Sequence, residues 1–165
     1  MPLYPRHLSC LALLSALPLS AQLEYSDAEV LFVHRVQPLF QEKCVSCHGQ
    51  DEEFEGGLDL RTEGEMIFGG DSNQPAVAAG DLNASPLYLA VLRDHEDWEP
   101  MPPKEAEKIS TEETEWLKTW ITGGAPWPDD DRQTEIAAAF AEQWDAEDGT
   151  MIATSGGLAD SWTYR

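Results

Sequence analysis

Cys44-Val45-Ser46-Cys47-His48 is the stretch that decides how the rest of the chain is read. Two thiols separated by two residues, with an imidazole directly after the second, put three strong ligand groups into about one turn of backbone. Upstream, Ser26 can cap a helix whose Val30, Phe32, Val33, Val36, Leu39 and Phe40 fall at helical spacing. Pro38 should kink or end the last turn of that helix. Downstream lies Gly49, and then residues 50–83 read as loop, rich in Gly, Asp and Glu and without strand alternation. The motif therefore sits between a helix and a glycine-rich loop.

Three chemistries compete for such a motif. A thiol–disulfide redox pair also uses C-x-x-C, but it belongs in a βαβ context, which these flanks do not supply. A zinc site needs further Cys or His ligands, and the other histidines past the N-terminal region, His34 and His95, form no second close pair. Haem attachment explains both the spacing and the histidine. Two intervening residues let both thiols reach vinyl groups on adjacent pyrrole rings, and the same turn holds His48 at the iron. The residues thus point to one haem c, held through Cys44 and Cys47 with His48 as an axial ligand. A haem-free binding module with a Cys44–Cys47 disulfide is the alternative from another class.

Iron that only transfers electrons is closed on both faces. Past the N-terminal region the methionines are Met66, Met101 and Met151. Met101 stands in Pro100-Met101-Pro102-Pro103, where restricted backbone presents the sulfur at a fixed point. Met66 lies beside Ile67 and Phe68, where packing explains it, and Met151 falls in the C-terminal tail. His95, Met66 or an open position are the alternatives to Met101. An open or displaceable position would turn the reading towards sensing or peroxide chemistry. Trp116 and Trp120 read as core. Trp98, His95, Arg61 and Lys104 are candidate partners of the haem propionates, and His34 reads as an exposed or capping residue.

The remaining signals set the frame. Ser85-Pro86 opens a helix with Leu87, Tyr88, Val91 and Leu92 on one side, and Ser110 with Glu113 forms a capping box for a helix carrying Trp116, Leu117, Trp120 and Ile121. A further helix is expected over residues 134–144. At the N-terminus, Arg6 and His7 precede an apolar run over residues 8–19, and Leu19-Ser20-Ala21 offers a cleavage site. Residues 1–21 read as a signal peptide, which places the protein outside the cytoplasm, periplasmic or extracellular. Cys10, at the start of the apolar run, is not placed for a lipid anchor. Removing the signal takes away Arg6 and no acid, moving the net charge from −21 to −22. Such a field repels nucleic-acid phosphates and anionic lipid, so a redox partner should be basic or fused in a longer form. No later segment is apolar enough to span a membrane.

As an ordered set, these residues resemble the Planctomycete-type cytochrome c domain. The resemblance runs over residues 36–128. It rests on Val36-Gln37-Pro38-Leu39-Phe40, the motif at 44–49, Gly56-Gly57-Leu58-Asp59-Leu60 and Ala79-Gly80-Asp81 with Ser85-Pro86-Leu87. It continues through Met101-Pro102-Pro103-Lys104, and Trp120-Ile121 with Gly124-Ala125-Pro126-Trp127-Pro128. It implies thioethers at Cys44 and Cys47, His48 as proximal and Met101 as distal ligand, in an electron carrier with no catalytic residues of its own. The expected fold is all-α, a small cytochrome c-like helical domain around one covalent haem, with long loops and a C-terminal extension. The expected division is a signal peptide at 1–21, a haem domain at 26–128 and an acidic linker and extension at 129–165. Family members carry this domain at the N-terminus of longer exported proteins, so the tail reads as the start of a further domain.

Overall fold

Ser26 starts the first helix with a reciprocal cap: its hydroxyl accepts from the Glu29 amide at 3.2 Å while Glu29 Oε2 accepts from the Ser26 amide at 2.8 Å. The computed structural model describes residues 25–50 and 54–141. The expected signal peptide, Met151 and the end of the expected 134–144 helix lie outside the described residues. Helix α1 (Asp27–Leu31) runs into one π-helical turn (Phe32–Val36) and then α2 (Gln37–Lys43). Pro38, expected to kink or end this rod, instead sits in the first turn of α2. Proline has no N–H for the His34 carbonyl. The wider turn absorbs the ring, the Gln37 amide reaches back to the Phe32 carbonyl, and Arg35 Nη1 donates to the His34 carbonyl at 3.1 Å.

The stretch expected to be loop holds a short helix, α3 (Glu63–Phe68). Its signals are local: the Thr62 hydroxyl accepts from the Glu65 amide at 3.3 Å, and Gly69 closes the helix with a φ of 78°. A Cβ at Gly69 would lie 1.7 Å from the Gln74 carbonyl oxygen, so the exit turn requires glycine. Helix α4 (Pro86–Leu92) follows. Ser85 stands at its cap position but does not cap it. Fully buried, the Ser85 hydroxyl donates to the Asp81 carbonyl at 2.6 Å and accepts from the Ala78 amide at 2.9 Å, fixing the turn before the helix.

Helix α5 (Thr111–Thr122) carries the expected Ser110–Glu113 box and forms the centre of the molecule. Its Trp120 is completely buried, stacked on Phe32 at 5.6 Å and met edge-on by Phe40 at 5.8 Å. Trp127 closes over Phe32 at 4.7 Å, and Trp120 Nε1 donates to the Pro126 carbonyl at 2.9 Å, so the buried Trp120 indole N–H is paired. Trp116, also expected in the core, lies at its edge, half-buried, with the Arg35 guanidinium 5.3 Å from its ring. Among the described residues there is no β-strand, only an isolated bridge between Ala78 and Asp81. The architecture is all-α with long ordered loops.

The acidic run at 129–131, expected to be linker, opens helix α6 (Asp130–Phe140). The Asp129 side chain accepts from the Arg132 amide at 2.9 Å, and acidic side chains suit the positive end of the helix. The helix then lies against α1. Ile136 is fully buried, Phe140 meets Tyr25 edge-on at 6.0 Å, and Arg132 pairs with Glu29. His34, expected to be exposed or capping, is half-buried at this contact, with the Ile136 backbone as a partner.

The Arg132 hydrogen bond holds Glu29 down at about 2, against an ordinary value of 4.5. A carboxylate depressed on folding contributes stability that is present above the unfolded value and lost as pH falls through the folded one. The contribution is at most about 3 kcal/mol and is reduced by solvent, because Arg132 is 32% exposed. Glu29→Gln is therefore expected to destabilise the protein at neutral pH. Its deficit relative to wild type should shrink as pH falls from about 4.5 towards about 2. Urea unfolding followed by tryptophan fluorescence at several pH values checks this, and a deficit constant across that window would remove the ion pair as its source.

Candidate functional site

The end of α2 builds the site. Both the Cys44 and Val45 amides donate to the Phe40 carbonyl at 2.9 Å, the His48 amide to the Cys44 carbonyl at 2.9 Å, and the Gln50 amide to the Val45 carbonyl at 2.9 Å. Val45, 2% exposed, pins this turn into the core. The following loop then returns to it: the Glu55 amide donates to the Cys47 carbonyl at 3.2 Å and the Leu60 amide to the His48 carbonyl at 2.8 Å. The backbone of the motif is thus tied on both sides, while its side chains remain available.

Those side chains differ in environment. Cys44 is half-buried, and burial pushes its thiol up to about 12, so it keeps its proton at neutral pH. Cys47 is exposed, and both are free thiols. His48 Nδ1 is buried without any hydrogen-bond partner. A buried ring nitrogen left without a partner costs about 1–3 kcal/mol. Among the described residues, no group of three or more His, Cys, Asp or Glu is placed to hold a metal ion. The motif also stands outside any βαβ unit.

Met101 is half-buried in a loop fastened to the end of α4. Its amide donates to the Ala90 carbonyl at 3.0 Å, and its peptide bond to Pro102 is cis. Arg93, the left-handed residue closing α4, donates through Nη1 to the Pro102 carbonyl and pairs through Nη2 with Glu105 at 3.2 Å. Sequence reading gave Arg93 no role. Its place one residue past a helix and before a Pro-rich loop is the signal that was there to use. Lys104, three residues past Met101, has its ammonium raised above its ordinary value, chiefly by the hydrogen bond to Glu107.

The other candidates each have a local setting of their own. Met66 is 2% exposed and packed in the core, with its carbonyl accepting from Ala76 at 2.9 Å. His95 is held within its own loop, where Nδ1 accepts from the Asp97 amide at 3.2 Å. Trp98 is half-buried in the same loop. Arg61 lies beside the motif, paired with Asp59 at 2.7 Å. Leu92, on the helix that anchors the Met101 loop, is 41% exposed. No helix among the described residues is long and apolar enough to cross a membrane.

Residues 44–105 match the model of the Planctomycete cytochrome C family, a span that begins at the first motif cysteine and ends just past the Met101 loop. No curated protein and no solved structure matches the chain.

Proposed function

We propose, from the match of residues 44–105 to the Planctomycete cytochrome C family model, that this protein carries one covalent haem c and works as a one-electron carrier outside the cytoplasm. The observation that carries the reading is the 44–50 turn. It offers two free thiols and a histidine whose buried Nδ1 has no partner among the described residues. Cys44 and Cys47 would hold the group as thioethers, His48 would be the proximal iron ligand and Met101 the distal one. When bound, the haem supplies a ferric–ferrous couple.

What the chain's own residues contribute is position. Val45 anchors the turn, the Leu60 amide fixes the His48 carbonyl, and Arg93 with the Ala90 carbonyl fixes the Met101 loop. Leu92 offers apolar surface next to that loop for a porphyrin edge. A site closed by His48 and Met101 leaves no vacant position for a substrate, so the domain is read as a carrier and not an enzyme by itself. Residues 1–21 would direct export, with cleavage after Ala21. The net charge of −21 fits a basic redox partner, or one fused in a longer form.

The test is to produce the chain with its N-terminal segment in a bacterium that matures c-type cytochromes, then to take a pyridine haemochrome spectrum after denaturing extraction. A c-type spectrum with one haem retained per chain is expected. A colourless chain from a host that matures a control cytochrome would sink the proposal and favour the haem-free disulfide module.

A further inference from the structure

Beside the motif lies an ion pair that the attachment and ligation roles leave unused. Asp59 is 6% exposed, and a buried carboxylate is costly unless it is paired and hydrogen-bonded. All of its pairing comes from Arg61. Oδ1 accepts from the Arg61 amide at 2.9 Å and from Nε at 3.0 Å, while Oδ2 accepts from Nε at 3.1 Å and from Nη2 at 2.7 Å. This two-point grip fixes the plane of the guanidinium, which a single contact would leave free to rotate. It does not use Nη1, which makes no hydrogen bond among the described residues.

The position of Arg61 is fixed as closely as its orientation. The Leu60 amide on the His48 carbonyl holds segment 59–61 against the motif at 2.8 Å. The stem of Arg61 lies on Gly49, the residue directly after His48, where a Cβ would come within 2.8 Å of Cγ and 3.0 Å of Cδ. Gly49 therefore has a steric reason to be glycine, set by Arg61 together with the Val45 side chain at 3.1 Å. Phe54 supports the guanidinium with its ring 5.2 Å away, and Glu65 is a weaker acidic neighbour. The side chain remains 49% exposed, at the border between the site and water. That border is where an amphiphilic ligand keeps its carboxylates.

We propose that Arg61 is the carboxylate anchor of the site: Asp59 orients the guanidinium against Gly49, and Nη1 hydrogen-bonds a propionate of the haem. The proposal rests on the haem reading above. Arg is suited to it because its planar fork serves two carboxylates at once, one internal and one from the ligand. Asp59 acts as a positioning residue, through Arg61 alone. The cation also sets the redox balance, because positive charge near the iron favours the ferrous state.

Haem-loaded wild type, Arg61→Gln, Arg61→Lys and the double variant Asp59→Asn/Arg61→Gln test this. The double variant removes the buried carboxylate together with its partner, so no unpaired charge is left and the test stands even if Arg61→Gln alone does not mature. The readouts are haem retained by pyridine haemochrome, midpoint potential, and the propionate bending bands in resonance Raman spectra. In either Gln variant the haem should stay attached, the midpoint should fall and the propionate band should shift. Arg61→Lys should keep most of the potential and still shift the band, since it keeps the charge and loses the fork. Attached haem with an unmoved midpoint and an unmoved band in the double variant overturns the anchor and reduces the pair to a structural one. That result leaves the haem reading intact, whereas wild type without haem would take both down.

Discussion

A chain with Cys44 and Cys47 both replaced by Ser is expected to lose every trace of haem on denaturing extraction, while each single variant keeps one thioether and part of the colour. The expectation follows from covalency: thioethers survive denaturation, and axial bonds from the proposed ligands His48 and Met101 would not. The two singles should differ in the apoprotein. Cys44 is half-buried with its thiol pushed up to about 12 by burial, so Cys44→Ser puts a hydroxyl where a weakly polar thiol sits. An unsatisfied buried hydroxyl costs about 1–3 kcal/mol. Cys47 is exposed, and Cys47→Ser should stay within about 0.5 kcal/mol of wild type. Haemochrome spectra on the extracted chains and urea unfolding of the apoproteins measure both effects. Haem that resists extraction in the double variant would move the attachment elsewhere in the chain.

The parts of this molecule legible in the sequence are those whose causes are local. The motif at 44–48 is legible because its chemistry needs three side chains in one turn, whatever surrounds them. The boxes at Ser26–Glu29 and Ser110–Glu113 are legible because each satisfies helix-end amides within four residues. Helix α3 had the same kind of signal in Thr62 and Glu65, but Gly64 and the glycines at 69–70 hid it behind a loop composition. Where the cause is distant, local rules point the wrong way. Ser85 precedes Pro86 as a cap should, yet its buried hydroxyl is taken by the 78–81 turn. The acids at 129–131 look like a solvated linker until Glu29, some hundred residues earlier, pairs with Arg132. Pro38 misleads for a nearer reason, since the wider turn before it and Arg35, next to His34, make up for the missing donor to the His34 carbonyl.

Met101→Ala is expected to convert a site closed to external ligands into an open one. The reduced variant should bind carbon monoxide one to one, where reduced wild type binds none, and its midpoint potential should fall. A thioether ligand favours ferrous iron, so removing it weakens the reduced state more than the oxidised one. The substitution isolates the sulfur because the loop is not held by it. The Met101 amide on the Ala90 carbonyl, Arg93 on the Pro102 carbonyl and the Arg93–Glu105 pair all survive truncation to Ala. Met101 is only half-buried, so the lost packing should cost less than the 2–5 kcal/mol typical of a core methionine. Met101→His is the companion variant: it should close the site again, without carbon monoxide binding, at a lower potential than the wild type. Two results would change the assignment. Stoichiometric carbon monoxide binding by the reduced wild type would show that Met101 does not hold the iron, favouring a sensing or peroxide-reactive site. A Met101→Ala protein that stays closed and keeps its potential would place the distal ligand on another residue, His95 first among them.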